Sequence, residues 1–375
     1  MAQARGTAPH ILHLLPDSTP QAASRTAMLI AGFGRTYRHS IVAADPAQRQ
    51  WLNGAGSGSV TWLTGFPELA GGPSPGRLNR LARAMLPFDL VVSHGYGAMN
   101  AVMARTAFAE AYSVPPIIHH EWDHKPVITN MARRRRNWFR RFALGKTAAL
   151  VVDTERVEER ALVDWQQPIG RVKHIADGID VRAFAKRPRA DALPMLVKRP
   201  GEFWIGVVDE AGNLDALPQA LDLLTGLPDE CQLVWATAKN RAFRIAEAAD
   251  AKALNHRVHN IAPMPPLERF IGLFDLFLGL SPDVPRDTVL AAMASGLPVV
   301  APPTVPVAHL VSEENQPWVR GDPRESVRQL VNSAKLAQAS GEANRRRALA
   351  EFDVDKTAAT YQRLFDSAIA LRPAR

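Results

Sequence analysis

The sequence predicts an α/β protein built from two doubly wound parallel sheets. Short apolar runs alternate with longer stretches of helical periodicity along nearly all of its 375 residues. Strands that alternate with helices pair in parallel through right-handed crossovers. A proline-rich, basic stretch at 186–200 interrupts the alternation, which resumes after it. We therefore expect two Rossmann-like domains, each large enough to bury its own core.

The elements follow a similar order in each predicted domain. In the first, apolar runs predict strands at 10–15, 40–44, 60–63, 89–93, 116–120, 149–153 and 172–175. In the second, they predict strands at 203–208, 232–236, 258–261, 276–279 and 298–301. Helical periodicity is clearest at 22–33, 98–111, 214–224, 241–253 and 287–295. The tail after Phe352 predicts one amphipathic helix with Tyr361 and Phe365 on its apolar side.

Composition limits the partners and the compartment. Lys and Arg number 45 against 37 Asp and Glu, and the net charge of +8 favours phosphates, acidic lipid or nucleic acid as partners. A lone cysteine, Cys231, cannot form an internal disulfide and favours a reducing compartment. The first residues show no secretory signal, and no apolar run is long enough to span a membrane. We expect a cytoplasmic protein, either soluble or at a membrane surface.

Several segments resemble a known family, in the same order along the chain. They lie at 11–17, 89–95, 171–180, 203–208 and 292–301. The family is the retaining GT-B glycosyltransferases of family 4. The segments are similar to its opening strand, its histidine-bearing strand, the strand before its domain boundary, the first strand of its donor domain and the helix, turn and strand after its donor loop. The last segment, Ala-Met-Ala-Ser-Gly-Leu-Pro-Val-Val-Ala, is the most specific match.

This resemblance implies a GT-B fold, in which two Rossmann-like domains face a cleft. Residues 1–185 would bind the acceptor, 186–200 would link the domains, 201–352 would bind a nucleotide sugar, and the helix at 353–375 would cross back to the N-terminal domain. The implied activity is retaining transfer of a hexose to a glycan or lipid-linked acceptor in surface or envelope polysaccharide synthesis. No metal ion or cofactor is expected. His94 would contact the transferred sugar as the catalytic residue, or loop backbone would satisfy it instead.

The donor-binding residues depart from the family pattern. Val207 and Ala211 stand where the family has two cations, and Ala291 replaces the second of its two glutamates. These losses would remove ~4–9 kcal/mol of donor binding, at ~1.5–3 kcal/mol for each charge-assisted hydrogen bond. The residues that would rebuild the site are Gly206, Lys239, Arg241, Asp283 and Arg286. Among them, Arg286 would hold the leaving phosphates and Asp283 would lie near the ribose.

A dense cluster of ionisable side chains lies at 119–124, where the sequence reads His-His-Glu-Trp-Asp-His. Alternation along a strand places His119 and Glu121 on one face and His120 on the other. All three are candidates for contacts with the acceptor. The alternatives are a metal site and a polar loop at the end of a strand. Because the side chains do not converge on one face, a metal site is the less favoured of these.

The segment 133–141 carries six arginines interleaved with aromatic residues. On a helix the aromatic side chains group beside a basic flank, which is typical of a membrane-surface element. The candidates for facing an anionic membrane are Arg133, Arg134, Arg136, Trp138, Phe139 and Arg140. The alternative is an ordinary surface helix, in which the arginines face solvent and the aromatic side chains pack in the core. Nucleic-acid binding is not expected, because no nucleic-acid-binding motif accompanies the arginines.

Two classes of function remain at this point. A glycosyltransferase at the inner face of the cytoplasmic membrane agrees with the intact fold pattern and with the basic residues near the donor position. A non-catalytic GT-B protein that binds a partner enzyme or a glycan agrees with the missing cations and with Ala291. Binding of a nucleotide would distinguish the two.

Overall fold

The chain divides into two compact units, Met1–Asp177 with Val354–Arg375, and Gly178–Asp353. Their structure is a computed structural model. It describes residues 8–16, 20–43, 60–122, 129–193, 196–210, 212, 214–237, 241–281, 284–304 and 307–372. The stretch at 186–200, predicted as a linker, falls within the second unit.

The first unit is built on a parallel sheet. Its strands are β1 (His10–Leu15), β2 (Arg38–Ala43), β3 (Val60–Trp62), β4 (Leu90–His94), β5 (Ile117–Glu121), β6 (Ala149–Val152) and β7 (Val172–His174). Within the described residues the order is β3-β2-β1-β4-β5-β6-β7, and all neighbouring strands are parallel. The order reverses between β1 and β4. Doubly wound sheets bind ligands at the carboxyl ends of the strands beside such a reversal.

Helices cover both faces of this sheet. They include α1 (Pro20–Phe33), α2 (Pro75–Met85), α3 (Met99–Phe108), α4 (Asn130–Ala143) and α5 (Glu155–Val163). Threonines cap the last two, because the hydroxyls of Thr129 and Thr154 accept hydrogen bonds from the N–H groups of Ala132 and Val157. These caps fix where α4 and α5 begin, and both helices carry side chains of the candidate site.

The second unit repeats the architecture with a smaller sheet. Its strands are β8 (Phe203–Asp209), β9 (Cys231–Thr237), β10 (Val258–Ile261), β11 (Leu276–Leu278) and β12 (Val299–Val300). In the described residues they form a parallel sheet in the order β10-β9-β8-β11-β12. The helices are α6 (Leu217–Thr225), α7 (Ala242–Asp250), α8 (Arg286–Ala294), α9 (Gln316–Arg320), α10 (Pro323–Asn332) and α11 (Ala334–Glu351). Its core joins Ile205 of β8 and Trp235 of β9 to Leu221 of α6.

The last helix, α12 (Val354–Ala370), belongs to the first unit. Tyr361 and Phe365 are buried in the same core cluster as Phe33 of α1, and the Phe33 and Phe365 ring centroids are 5.2 Å apart. A Cβ added at Gly32 would lie 2.7 Å from the Cβ of Ala358, so a glycine lets α1 and α12 approach closely. The apolar side predicted for this helix is therefore the side that packs.

The predicted fold class is confirmed, with two parallel sheets and the final helix on the first unit. The predicted strands at 10–15 and 258–261 coincide with β1 and β10. No helix in the described part of the chain combines the length and the apolar character needed to cross a membrane.

Candidate functional site

A cavity of about 870 Å³ lies in the first unit at the carboxyl ends of β4 and β5. Its ionisable lining residues are Glu121, Arg135, Arg136, Arg140 and Arg160. Its aromatic lining residues are Tyr96, Trp122, Trp138, Phe139 and Trp165. Apolar rings beside a few polar groups are the usual lining of a small-molecule site.

Local sequence explains two walls of the cavity. The chain turns sharply after β4, where Gly95 has a φ of 65°, a conformation that favours glycine. This turn brings Tyr96 into the cavity wall. At a second part of the wall, the amide of Asn100 donates hydrogen bonds to the carbonyls of Leu69 and Gly71, both at 2.8 Å. The loop that contains Leu69 and Gly71 is thereby held against α3 and also lines the cavity.

A buried ion pair forms part of the cavity wall. Arg140 donates from Nε to Glu121 Oε1 at 2.6 Å and from Nη2 to Oε2 at 3.2 Å. Glu121 is 5% exposed and Arg140 is 8% exposed. Burial alone would raise the pKa of Glu121, but Arg140, aided by His119, outweighs burial and lowers this pKa to about 2. Glu121 is therefore a carboxylate at neutral pH and has no proton to donate to a substrate.

Three of the four arginines that line the cavity lie over aromatic rings. Arg140 lies 4.7 Å from the ring centroid of Tyr96 and 4.8 Å from that of Trp165. Arg136 lies 4.5 Å from the Tyr96 centroid, and Arg160 lies 5.5 Å from the Trp165 centroid. Cation–π contacts of this kind hold guanidinium groups in place. Burial, with help from Arg140, lowers the pKa of Arg160.

Among these arginines, Arg140 alone has an ion-pair partner in the described residues. Glu121 neutralises Arg140, whereas Arg135, Arg136 and Arg160 form no ion pair with a carboxylate of the described residues. The cavity therefore has an excess of positive charge on side chains that lie at its surface. Such a site attracts anions.

The histidines predicted for the site lie in the interior of the first unit. His94 and His120 are opposite each other on β4 and β5, and their Nδ1 atoms are 3.2 Å apart. The Nε2 atom of His94 lies 3.4 Å from the Thr26 hydroxyl, and the Nδ1 atom of His119 lies 2.8 Å from the Ser93 hydroxyl. All three rings are fully buried and none is among the residues that line the cavity. Of the acceptor-side candidates, only Glu121 lines it.

Burial keeps His94 and His120 neutral. Burial is the largest cause that lowers the pKa of His94 and of His120, and the positive charge of Arg25 lowers both further. As predicted, His119 and Glu121 share one face of β5, with His119 Nε2 3.5 Å from Glu121 Oε1. Asp123 and His124 lie outside the described residues. Within the described residues, no group of His, Cys, Asp or Glu could hold a metal ion.

Helix α4 has two different faces. The structure corrects the prediction that Arg136, Phe139 and Arg140 face a membrane. Arg140 is held inward by Glu121, Arg136 lies over Tyr96, and Phe139 packs partly buried against the core. Arg133 and Arg134 are exposed, as expected.

The outer face of α4 also carries apolar side chains: Trp138, which is exposed as expected, and Met131 and Phe142, which are not among the candidates. Met131 is 75% exposed, Trp138 is 63% exposed and Phe142 is 47% exposed. The ring centroids of Trp138 and Phe142 are 4.4 Å apart. Residues spaced by seven and four lie on one side of a helix, so these three form a stripe. We call it the α4 stripe.

The predicted donor residues of the second unit that the structure describes each have a different local contact. Gly206 lies within β8, where an added Cβ would meet the ring of Phe274 at 1.9 Å, so its role there is close packing. Arg241 donates from Nε to the carbonyl of Gly212 at 3.1 Å. The guanidinium of Arg286, at the start of α8, lies 5.4 Å from the Phe352 ring centroid. Lys239 and Asp283 lie outside the described residues.

Carboxylates occupy the loop after β8. Asp209 accepts hydrogen bonds from the N–H groups of Gly212 at 2.8 Å and Leu214 at 3.1 Å. Glu210 accepts a hydrogen bond from the hydroxyl of Thr288, in the first turn of α8, at 2.8 Å. Backbone N–H groups at such a loop and helix start are the groups that bind phosphate in doubly wound folds. Here Asp209 occupies N–H groups of the loop, and Glu210 occupies a hydroxyl at the start of the helix.

The family's second glutamate position is closed. Ala291 is fully buried in α8, together with its neighbours on both sides. A cavity of only about 10 Å³ lies at the carboxyl end of β8, lined by Val207, Asp209 and Trp235 among others. Because Ala291 is fully buried, a glutamate at position 291 would enter the core of the second unit.

Comparisons with known proteins agree on the fold. No family model matches the sequence, and no curated protein matches it either. Anabaena HepE in complex with UDP is similar, with a TM-score of 0.70 at 15% identity over 96% of this chain and 100% of that chain. A glycosyltransferase from Rickettsia africae has a TM-score of 0.71 at 12% identity over 97% and 99% of the two chains. The pneumococcal O-GlcNAc transferase GtfA, in complex with UDP and GlcNAc, has a TM-score of 0.66 at 10% identity over 97% and 100%.

These neighbours share one architecture along the full length of the chain. The protein therefore has the GT-B fold of glycosyltransferases, as the sequence resemblance implies. At identities this low the likeness concerns the fold, and membership of the retaining family 4 stays a prediction.

Proposed function

We propose that the protein is a glycosyltransferase that moves a sugar from a nucleotide sugar to a glycan or lipid-linked acceptor. The observation that carries this proposal is the cavity of the first unit, which lies at the ligand-binding edge of its sheet and is lined by rings and arginines. Neighbours of the same fold are known in complexes with UDP and with UDP-glucose, which supports a nucleotide-sugar donor. We further propose retaining transfer of a hexose in envelope polysaccharide synthesis, without a metal ion or cofactor.

The donor would bind the second unit. Arg286 would stabilise the leaving diphosphate, with Lys239 and Arg241 as further cations and Asp283 near the ribose. His94 is the candidate for contact with the sugar. Because its ring is enclosed by His120 and Thr26, a sugar reaches it only if these neighbours move.

Calorimetry with UDP, GDP, ADP and TDP tests the donor site. We expect binding of at least one nucleotide at micromolar to millimolar strength, weakened by about 1.5–3 kcal/mol in Arg286→Ala. The matched control is Arg328→Ala, which removes an exposed arginine of α10 that pairs with Glu325. Binding that ignores Arg286 would contradict this assignment of the cation.

We also propose that the α4 stripe places the enzyme on the inner face of the cytoplasmic membrane. Exposed apolar side chains flanked by Arg134, Arg135 and Arg141 combine burial in the acyl boundary with attraction to anionic headgroups. In sedimentation with phosphatidylglycerol vesicles, Trp138→Ser should weaken binding about tenfold, since burial of a large side chain is worth ~1.5–3 kcal/mol. Phe243→Ser, at an exposed aromatic residue of the second unit, should leave binding unchanged. Equal binding to phosphatidylcholine vesicles would show that attraction to anionic headgroups does not contribute to binding.

One observation favours a second function, a non-catalytic GT-B protein that binds a partner enzyme or a glycan. Asp209 already satisfies N–H groups of the loop after β8, and Glu210 accepts from Thr288 at the start of α8. Val207 and Ala291 are buried apolar residues at family donor positions. The absence of any nucleotide or nucleotide-sugar binding at millimolar concentration, with the protein folded, would favour this function over transfer.

A further inference from the structure

The cavity of the first unit contains three arginines that lack a carboxylate partner among the described residues, and aromatic rings orient two of them. Arg136 is held over Tyr96 and Arg160 over Trp165, and Arg135 is a further lining residue. A planar guanidinium presents its N–H groups in a fork that matches phosphate oxygens. These side chains are therefore placed to bind a phosphate group with little loss of conformational freedom.

Glu121 does not cancel this charge. Both of its oxygens accept hydrogen bonds from Arg140, so the pair contributes little net field to the cavity. The pair instead fixes Arg140 between Tyr96 and Trp165, and these are the same rings on which Arg136 and Arg160 lie. The buried pair thus supports the position of both other guanidinium groups.

The size of the cavity and its remaining lining residues indicate a ligand larger than an inorganic anion. A volume of about 870 Å³ lies within the range that holds an organic ligand of substantial size. Trp122 and Trp138 add flat apolar surface to the same cavity, which suits the organic part of an ester and leaves its phosphate to the arginines.

We propose that this cavity binds a phosphate ester, with the phosphate on Arg136 and Arg160 and the organic part on the aromatic rings. The inference rests on the proposed function in one respect, because it makes the acceptor a phosphate-bearing molecule. The phosphate belongs either to a soluble glycan phosphate or to a lipid headgroup. Trp138 and Arg135 line the cavity and also lie on or beside the α4 stripe, so a headgroup at a membrane surface has a direct route to it.

Calorimetry on the full chain, without any nucleotide, tests this proposal. The probes are glucose 1-phosphate and glucose, which differ only in the phosphate. We expect glucose 1-phosphate to bind and glucose to bind at least tenfold more weakly. Arg136→Gln and Arg160→Gln should each weaken binding of glucose 1-phosphate by about ten- to a hundredfold. Arg156→Gln changes an exposed arginine of α5 outside the lining and should leave binding unchanged.

Competition identifies the source of the phosphate. Displacement of glucose 1-phosphate by dihexanoylphosphatidic acid would support a lipid headgroup, and no displacement would support a soluble glycan phosphate. Equal binding of glucose and glucose 1-phosphate would overturn the proposal. So would unchanged binding in both cavity variants, or an equal loss in Arg156→Gln. Because no nucleotide is present, a failure here is distinct from a failure of donor binding, which is measured separately with UDP.

Discussion

The two units share a parallel doubly wound architecture. They differ in the partners of the carboxylates at the carboxyl ends of their strands. Glu121 ends β5 and pairs with Arg140, nineteen residues further along the chain. This pair forms the wall of an open cavity, and three other arginines of that cavity have no ion pair among the described residues. Asp209 ends β8 and turns back onto N–H groups three and five residues later.

The two sites differ because the carboxylates at the strand ends have different partners. A carboxylate that meets a distant arginine joins two elements and forms a neutral pair with that arginine. A carboxylate that meets the amides of its own loop closes that loop and satisfies groups that would otherwise bind phosphate. The same fold therefore presents an open, cationic site in one unit and a loop filled by its own anions in the other.

The largest effect is expected from breaking the buried pair. Arg140→Met leaves Glu121 buried without its cation and should lower the free energy of unfolding by about 3–5 kcal/mol. Lys146→Met is the control, because it breaks the largely exposed pair of Lys146 with Glu110 and should cost less than about 1 kcal/mol. Urea unfolding of both variants measures the difference. Similar losses in the two would show that the Glu121–Arg140 pair is no more important than a surface pair.

The first unit should also lose stability in mild acid. Burial is the largest cause that lowers the pKa of His13, His94 and His120 below the ordinary value of about 6.5, so all three are neutral when folded. The unfolded chain takes up these protons near pH 6.5. The free energy of unfolding is therefore highest above about pH 6.5. It falls as the pH drops below this value, by up to ~1.4 kcal/mol per pH unit for each histidine.

Urea unfolding at pH 7.5, 6.5 and 5.5 measures this slope. Glu121 does not contribute in that range, because its pKa of about 2 means that its stabilisation is lost only below about pH 4.5. Replacing the exposed His256 by Gln should leave the slope unchanged. Constant stability from pH 7.5 to 5.5 would show that the histidines are not enclosed as described.

A smaller effect is expected in the closed loop of the second unit. Asp209→Ala removes the acceptor of two backbone N–H groups and should cost ~1–2 kcal/mol, comparable to the loss of a helix cap. Asp191→Ala, which breaks an exposed pair with Arg189, should cost less than about 0.5 kcal/mol. Denaturant midpoints provide the comparison. No difference between the two variants would mean that the loop does not depend on its own carboxylate.

The fold could be predicted from the sequence because its signals are local. Apolar runs and helical periodicity lie within single elements, and the segment 292–301 predicts the turn from α8 into β12, the last strand of the second sheet. The candidate site was harder to predict, because it depends on contacts between distant residues. Trp165 and Arg160 meet Arg140 only after α4 and α5 pack together, and nothing at 155–165 indicates this.

Part of the site could nevertheless be predicted from the sequence. Tyr96 follows Gly95 at the end of a predicted strand, which marks a turn at the ligand-binding edge. The sequence predicts that Arg140 belongs to a basic helix, but it predicts the wrong face for this side chain. Its partner Glu121 lies on a strand, and periodicity along one helix gives no information about a charge on a neighbouring element.

A crossed titration tests the contrast between the two units most directly. Glucose 1-phosphate and UDP are each titrated into Arg136→Gln and into Glu210→Gln, in which the amide still accepts from Thr288 but one negative charge is lost. We predict that Arg136→Gln loses affinity for glucose 1-phosphate and keeps its affinity for UDP. We predict that Glu210→Gln keeps its affinity for glucose 1-phosphate and binds UDP about fivefold more tightly, which corresponds to ~1 kcal/mol of removed repulsion. Equal changes for both ligands in either variant would contradict the assignment of two separate sites.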